Sequence, residues 1–236
     1  HAAAADVPEP EDCPQTNMPE KALSFRVQVY GMDMHKKLFT NRQLTALTTF
    51  SDLVAEAQEK VRADAIAAGM PDDGIGLAKD GTGATAYGQA VGVYLAFVVD
   101  KLADYHSTIC SWHSSGEKMR NTFGRQAIPM TWDYAECNPF CSSSGSCDNM
   151  LEWVYKVVGE LPDGDHPGNV LQLDAQSDNG LRNLVVSTDP PYYDNIGYAD
   201  LSDYFYVWLR RSLRRTYPQL FSTALVPKTE ELIATP

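Results

Sequence analysis

The feature that most constrains this chain is the stretch Leu184-Val185-Val186-Ser187-Thr188-Asp189-Pro190-Pro191-Tyr192-Tyr193. Apolar β-formers followed by Ser-Thr and an Asp-Pro-Pro-Tyr turn predict a buried parallel strand ending in a rigid polar loop. Adjacent prolines fix φ twice and remove two backbone donors, so the carbonyls of Asp189 and Pro190 are expected to point one way as acceptors. In open α/β sheets ligands bind beyond the carboxyl ends of the strands, where Asp189 to Tyr193 would lie. Acceptors beside an aromatic face suit a planar ring that carries an NH2 group: the acceptors hold its two N–H bonds and Tyr192 covers the ring. Adenine N6 and cytosine N4 are such groups.

At 236 residues and 44% hydrophobic, the chain has material for one α/β domain or two small ones. No apolar run reaches the roughly 18 to 20 residues of a membrane span, so no membrane partner is expected. The net charge of −12 argues against a dedicated nucleic-acid-binding module. Cysteines at 13, 110, 137, 141 and 147 are too few and irregular for a disulfide framework, which suggests a cytoplasmic location. The missing initiator Met and the ending at Thr235-Pro236 suggest a piece of a longer polypeptide.

Residues 1–20, rich in Ala, Pro and acids, read as a disordered or loosely attached arm. Phe25-Arg-Val-Gln-Val-Tyr alternates as a half-buried strand does. Thr40 and Gln43 form a capping box, with Phe39 and Leu44 as a hydrophobic staple, for a helix running to about Ala68. Gly81-Thr-Gly83-Ala-Thr-Ala86 fits a loose nucleotide loop, but no strand precedes it, so a helix–helix connection is the better reading. A second helix over about Tyr87 to Ser111 completes an antiparallel hairpin. His106, Cys110 and His113 fall at i, i+4 and i+7 near its end, and with Cys137 and Cys141 offer a zinc set. Without a CxxC pair, structural or incidental cysteines are favoured, and no metal site is assigned. Between 118 and 140, Lys118, Arg120, Arg125, Trp132 and Tyr134 interleave basic and aromatic residues, which suits either contact with phosphate and base or packing under a long loop.

From Asp148 the pattern alternates helix and strand, as a parallel sheet with crossovers does. Asn149 and Glu152 are spaced as a capping box for a helix with Leu151, Val154, Tyr155, Val158 and Leu161 as its apolar stripe. Asn169 to Ala175 reads as a short strand, and Asp174 either binds a ligand at its end or caps the turn Ser177 to Leu181. A helix is predicted from about Asp200 to Thr216. It ends in Arg210, Arg211, Arg214 and Arg215, which suit phosphate contact or, more simply, a solvated helix end matched to its dipole. Phe221 to Val226 reads as a further strand.

Asp189-Pro190-Pro191-Tyr192 resembles motif IV, the (D/N/S)PP(Y/F/W) signature of S-adenosylmethionine-dependent amino-methyltransferases. The longer run from Asp189 to Leu213, then Phe221-Ser-Thr-Ala-Leu-Val-Pro-Lys and Glu230-Glu231-Leu, is similar to large prokaryotic adenine-specific DNA methylases that carry a domain of unknown function. Asn121-Thr-Phe-Gly-Arg-Gln-Ala-Ile-Pro-Met-Thr-Trp-Asp-Tyr-Ala-Glu also resembles that group. Together these segments extend over roughly residues 38 to 235.

The resemblance implies an α/β fold: a partial Rossmann-like methyltransferase sheet over 148–236 with a mainly helical insertion over 21–147. It implies transfer of a methyl group from S-adenosylmethionine to an exocyclic amine of a flipped base in duplex DNA, adenine N6 foremost. Asp189, Pro190, Pro191 and Tyr192 would be catalytic, and Asp174 would hold the cofactor's adenine amine. Tyr193, Arg125, Arg210 and Arg211 are the candidate nucleic-acid contacts. The group's glycine-rich motif I and zinc ribbon have no counterpart here, so the remainder of a parent polypeptide would supply the cofactor half. Two other classes stay open. One is a noncatalytic helical interaction domain with an incomplete methyltransferase half. The other is a PPxY ligand at Pro190 to Tyr193 for a WW domain, which the flanking apolar strand and aromatic helix disfavour.

Overall fold

The structure, a computed structural model, describes residues 7–162, 168, 170–171, 173–174, 176–178, 180–194 and 196–233. Its frame is a helical hairpin. Helix α1, Asn41–Ala67, begins at the expected capping box: the Thr40 hydroxyl accepts from the Gln43 amide at 3.3 Å and the Gln43 side chain accepts from the Thr40 amide at 2.8 Å. Helix α2, Ala84–Tyr105, packs along it, and the approach is close because Gly88 and Gly92 face Gln58. A Cβ on Gly88 would lie 2.7 Å from the Gln58 carbonyl oxygen.

The connection between these helices is closed by its own hydrogen bonds. Pro71 O accepts from the Ala84 amide, and the Asp72 carboxylate accepts from Thr85, Gly74 and Arg62. Those bonds, the ones to Thr85 first, hold the Asp72 carboxyl down at about 2. Gly81 and Gly83 serve this closure, since a Cβ on either would meet backbone of residues 71–76 at 3.0 Å or less. The glycine loop is therefore a helix connection.

Helix α2 stops at Tyr105, a turn and a half earlier than its pattern predicts. Asp104 is buried, and its carboxylate accepts from the Asn121 side chain at 2.7 Å and the Phe123 amide at 3.1 Å. Its carbonyl accepts from the Thr122 amide and hydroxyl. The returning loop thus occupies the path the helix would have taken. Between these segments runs a short antiparallel hairpin, β1 (Ser111–His113) with β2 (Lys118–Arg120).

Helix α3, Cys147–Glu160, is capped by Ser146, whose hydroxyl accepts from the Asn149 amide at 3.2 Å. The expected cap at Asn149 is therefore three residues too late. Helix α4, Tyr198–Leu213, is inserted in the core. Trp208 and Tyr204 are its largest fully buried side chains, and they share one cluster with Leu44, Leu47, Leu102, Ile128 and Met150. Phe39 stacks on Tyr204 and meets Trp208 edge-on. This core crosses residue 148, so the packing has no boundary where the change of sequence pattern suggested one. The tail clamps the start of α4: Asp203, fully buried, accepts from the Val226 amide at 2.9 Å and Lys228 at 2.5 Å, and Glu231 accepts from the Ala199 amide.

Several expectations are corrected. Residues 7–20 are packed, not loose: Cys13 and Met18 are buried, and the Met18 amide bonds Asp33 O. Residues 1–6 of that arm lie outside the described residues. Phe25 and Val27 are buried as a strand alternation requires, but the segment curls into a 3₁₀ turn at Gln28–Tyr30, closed by left-handed Gly31. Phe221–Val226 is irregular, held by the Tyr206 hydroxyl on Thr223 O and by Asp203.

The expected parallel strands are absent among the described residues, where β1 and β2 form the one sheet. Residues 184–186 pair with nothing, and Val185 is fully exposed. Val170, Leu171 and Leu173 are exposed too, while 169, 172 and 175 lie outside the described residues. A strand exists through its neighbours' hydrogen bonds, and here no neighbouring strand is in place. Among the described residues the fold is mixed, four α-helices and a small hairpin, and no helix there is long and apolar enough to cross a membrane.

Candidate functional site

The Asp189–Tyr193 loop stands free of the core. Tyr192 is 71% exposed, and the Asp189 and Tyr192 side chains make no hydrogen bond or ion pair among the described residues. The Tyr193 amide bonds Pro191 O at 3.2 Å, and Tyr193 sits at φ 38°. A bulky residue in this left-handed region costs about 1–3 kcal/mol, the kind of strain that gathers at functional loops. The double proline leaves the turn little choice, because it fixes the approach to Tyr192.

The loop's far end is held rigidly. Ile196 and Tyr198 lead into the clamped start of α4, and at most roughly 10 Å of extended chain separates Tyr193 from Ile196. Ile196 lines a cleft of about 410 Å³ with Arg26 and Arg125. Tyr198 lines a second, of about 470 Å³, with Arg125, Phe123 and Phe205. A third, of about 950 Å³, is lined by Arg125, Arg120, Lys118, His113, Tyr105 and Trp153 among others. Arg125 belongs to all three.

Each basic group is placed by the fold. Phe123 is fixed by the Asp104 carboxylate and packs on Tyr204 and Phe205, with ring centroids 5.0 and 5.2 Å away. That anchors the turn carrying Gly124 and Arg125. Lys118 and Arg120 are two apart on β2, hence on one face, opposite His113 and Ser111. Arg26 is set by its amide on Ile128 O at 3.0 Å.

The electrostatics of these clefts run against the chain as a whole. Among the described residues, none of the side chains lining them is an Asp or Glu, in a chain with 31 acids and 19 Lys and Arg. Arg26, Lys118, Arg120 and Arg125 form no ion pair with any described carboxylate. Other cations are engaged: Arg42 with Glu136, Arg62 with Asp72, Lys228 with Asp203.

Arg210 and Arg211 lie elsewhere. Arg211 bonds Asp52 at 2.7 Å and Asp12 O at 2.6 Å, and the cleft it shares with Arg210 also contains Glu11, Asp12 and Asp52. From Tyr198 to Arg211 is about 20 Å along α4. The structure brings Arg125 toward the loop's exit and leaves Arg210 and Arg211 at the other end of the helix. Trp132 is exposed, edge-on to Tyr30 at 4.9 Å, so it does not pack beneath the 118–140 loop.

Asp174 accepts from the Gln176 amide at 2.9 Å and the Ser177 hydroxyl at 3.0 Å, so its carboxylate closes its own turn. With the glycine loop closed on itself as well, the described residues do not form a cradle fitted to S-adenosylmethionine. Of the zinc set, His106 and Cys137 come together, with Cys137 Sγ 3.4 Å from His106 Nε2, and the early end of α2 turns Cys110 and His113 to other partners. His106 bonds Gly145 O at 2.7 Å, Cys110 bonds Asp104 O, and His113 sits on β1. Burial lowers the His106 pKa and raises the Cys137 thiol to about 12, which opposes a thiolate–imidazolium pair between them. Among the described residues, no group of three or more His, Cys, Asp or Glu is placed to hold a metal.

Arg26 was not legible as a site residue, because an exposed position in an alternating segment reads only as the solvent face. Its partners come from residues 120, 125 and 196, which only the fold brings together. Compared with known proteins, the chain matches no family model, and no curated protein or solved structure is significantly similar to it.

Proposed function

We propose that this chain is the base-holding part of an S-adenosylmethionine-dependent DNA amino-methyltransferase, acting on adenine N6. The observation that carries the reading is the free Asp189-Pro190-Pro191-Tyr192 loop, strained at Tyr193 and leading directly into acid-free basic clefts in an acidic chain. A target base is extruded from the duplex, at an unstacking cost of a few kcal/mol. Tyr192 stacks on it, while the Asp189 carboxylate and the Pro190 carbonyl accept its two amine hydrogens. An amine conjugated with its ring is a poor nucleophile. Fixed acceptors that draw the hydrogens out of the ring plane turn the lone pair outward and are stabilising where charge develops.

S-adenosylmethionine, held by another stretch of the parent polypeptide, would supply the methyl group from its sulfonium and leave as the neutral thioether, the amine giving up one hydrogen as a proton. The same stretch supplies the strands that pair with residues 170–174 and 184–186 in a Rossmann-like sheet. Such pairing covers Val170, Leu171, Leu184, Val185 and Val186, each worth about 1.5–3 kcal/mol on burial.

A second reading, a noncatalytic helical interaction domain, is favoured by one observation: Leu151, Tyr155 and Val158 on α3, with Leu161 just past its end, are exposed, so an apolar stripe stands open. Methyl transfer to duplex DNA by the full-length protein separates the two. Tyr192→Ala is expected to lower the rate at least tenfold and Tyr192→Trp to restore most of it, as stacking requires. Absence of any transfer, or indifference to both substitutions, moves the interaction domain ahead.

A further inference from the structure

The three clefts around Arg125 have a chemistry that the base-holding loop does not explain. An extruded base needs acceptors and one aromatic face, yet these clefts gather donors: Arg26, Lys118, Arg120 and Arg125. In a chain of net charge −12, a continuous stretch of lining without carboxylates is the opposite of what composition alone would distribute. Cations that form no ion pair with a described carboxylate are free to meet an anion, and several in adjoining clefts suit a polyanion.

The aromatic component narrows the class. Tyr105 and Trp153 line the largest cleft, and Trp153 is half exposed with Lys101 Nζ 5.5 Å from its ring centroid. Basic groups following a backbone, with aromatic faces beside them, are the two components of single-strand binding: phosphates on the cations and unstacked bases on the rings. A duplex offers no exposed base face to such rings.

We infer that the clefts from Ile196 through Arg125 to Trp153 form a groove for an unpaired nucleic-acid strand, the stretch of the target strand that is opened from its complement together with the extruded base. This rests on the methyltransferase reading. It assigns Arg26, Lys118, Arg120 and Arg125 to phosphates and Tyr105 and Trp153 to bases. The groove leads to the loop at Ile196, so a strand lying in it presents its next nucleotide to Tyr192 and Asp189.

The test is binding of a fluorescein-labelled oligo(dT) 12-mer to the full-length protein, followed by anisotropy over a salt series. Arg120→Gln with Arg125→Gln is expected to weaken binding at least tenfold near 0.1 M salt. It should also reduce the slope of log K against log salt by about 1.4, two phosphates at about 0.7 each for a single strand. Arg120→Lys with Arg125→Lys should keep the slope. Arg214→Gln with Arg215→Gln removes the same charge from the acid-lined end of α4 and should change affinity less than twofold. Melting temperatures of all variants within a few degrees of wild type show that the fold is kept. Equal losses from both glutamine pairs, or a preference for a hairpin duplex of the same length, overturn the groove. Methyl transfer is measured beside binding for every variant, so failure of the groove and failure of the methyltransferase reading are separable. If Asp189→Ala abolishes methyl transfer while the groove variants bind normally, the groove alone falls. If no variant transfers methyl groups yet the Arg120 and Arg125 effects stand, the reading of the loop falls.

Discussion

Asp203, Asp104 and Asp100 all place a carboxylate inside the helical frame, and their surroundings decide what each does. Asp203 and Asp104 are satisfied by backbone amides and by Lys228 or Asn121, and they tie the tail and the 121–123 loop to α4 and α2. Asp100 has a buried oxygen with no partner among the described residues, and burial holds its carboxyl well above the usual range. A raised native pKa means the folded protein keeps a proton that the unfolded chain releases above pH 3.8. Stability from this group is present below that pH and is lost as pH rises toward the native pKa. Asp100→Asn removes the penalty. Its melting temperature should match wild type near pH 4 and exceed it increasingly toward pH 8, and a difference independent of pH would contradict the assignment. Asp189 is the contrasting case, an exposed carboxylate with no partner among the described residues. Its place in a polar loop was legible from sequence, because turn chemistry is local. Asp174 was legible only as a pair of alternatives, and the turn it closes matches one of them.

At the scale of elements, glycines and caps set the frame. Alanine in place of a helical glycine gains about 1 kcal/mol of propensity, while overpacking a close contact costs about 1–3. At Gly88 the obstacle is backbone at 2.7 Å and cannot yield, so the cost wins. On α3, a Cβ at Gly159 meets nothing within 4 Å, so the propensity wins. Gly88→Ala is expected to lower the melting temperature and Gly159→Ala to raise it by a few degrees; the reverse order would refute this packing. Thr40→Ala removes the α1 cap and should cost about 1 kcal/mol in a urea titration. The capping box and stripe made α1 legible almost to the residue, because both signals are local. The end of α2 was not, since it depends on Asp104 capturing a loop some seventeen residues ahead. The strands at 169–175 and 184–186 were read from apolar β-formers, but a strand is a property of pairs, and none of their described residues is paired.

For the whole molecule, one core holds residues from both sides of position 148, so the Asp189–Tyr193 loop is mounted on the helical frame through α4. The same packing brings Arg26, remote in sequence, to Arg125 in one cleft at the exit of the loop, and Arg125 also lines the cleft that holds Arg120. Net charge is strongly negative, yet among the described residues no Asp or Glu lines the three clefts. The central claim is that Asp189 accepts hydrogens from the amine that receives the methyl group. Its most direct measurement is the single-turnover rate of methyl transfer from labelled S-adenosylmethionine to duplex DNA by the full-length protein with Asp189→Ala and Asp189→Asn. Loss of a fixed acceptor at the reacting centre costs about 10²–10³ in rate. The alanine variant should therefore fall by that factor, and the asparagine variant, which keeps one acceptor oxygen, should fall less. An alanine variant that transfers at the wild-type rate would contradict the account.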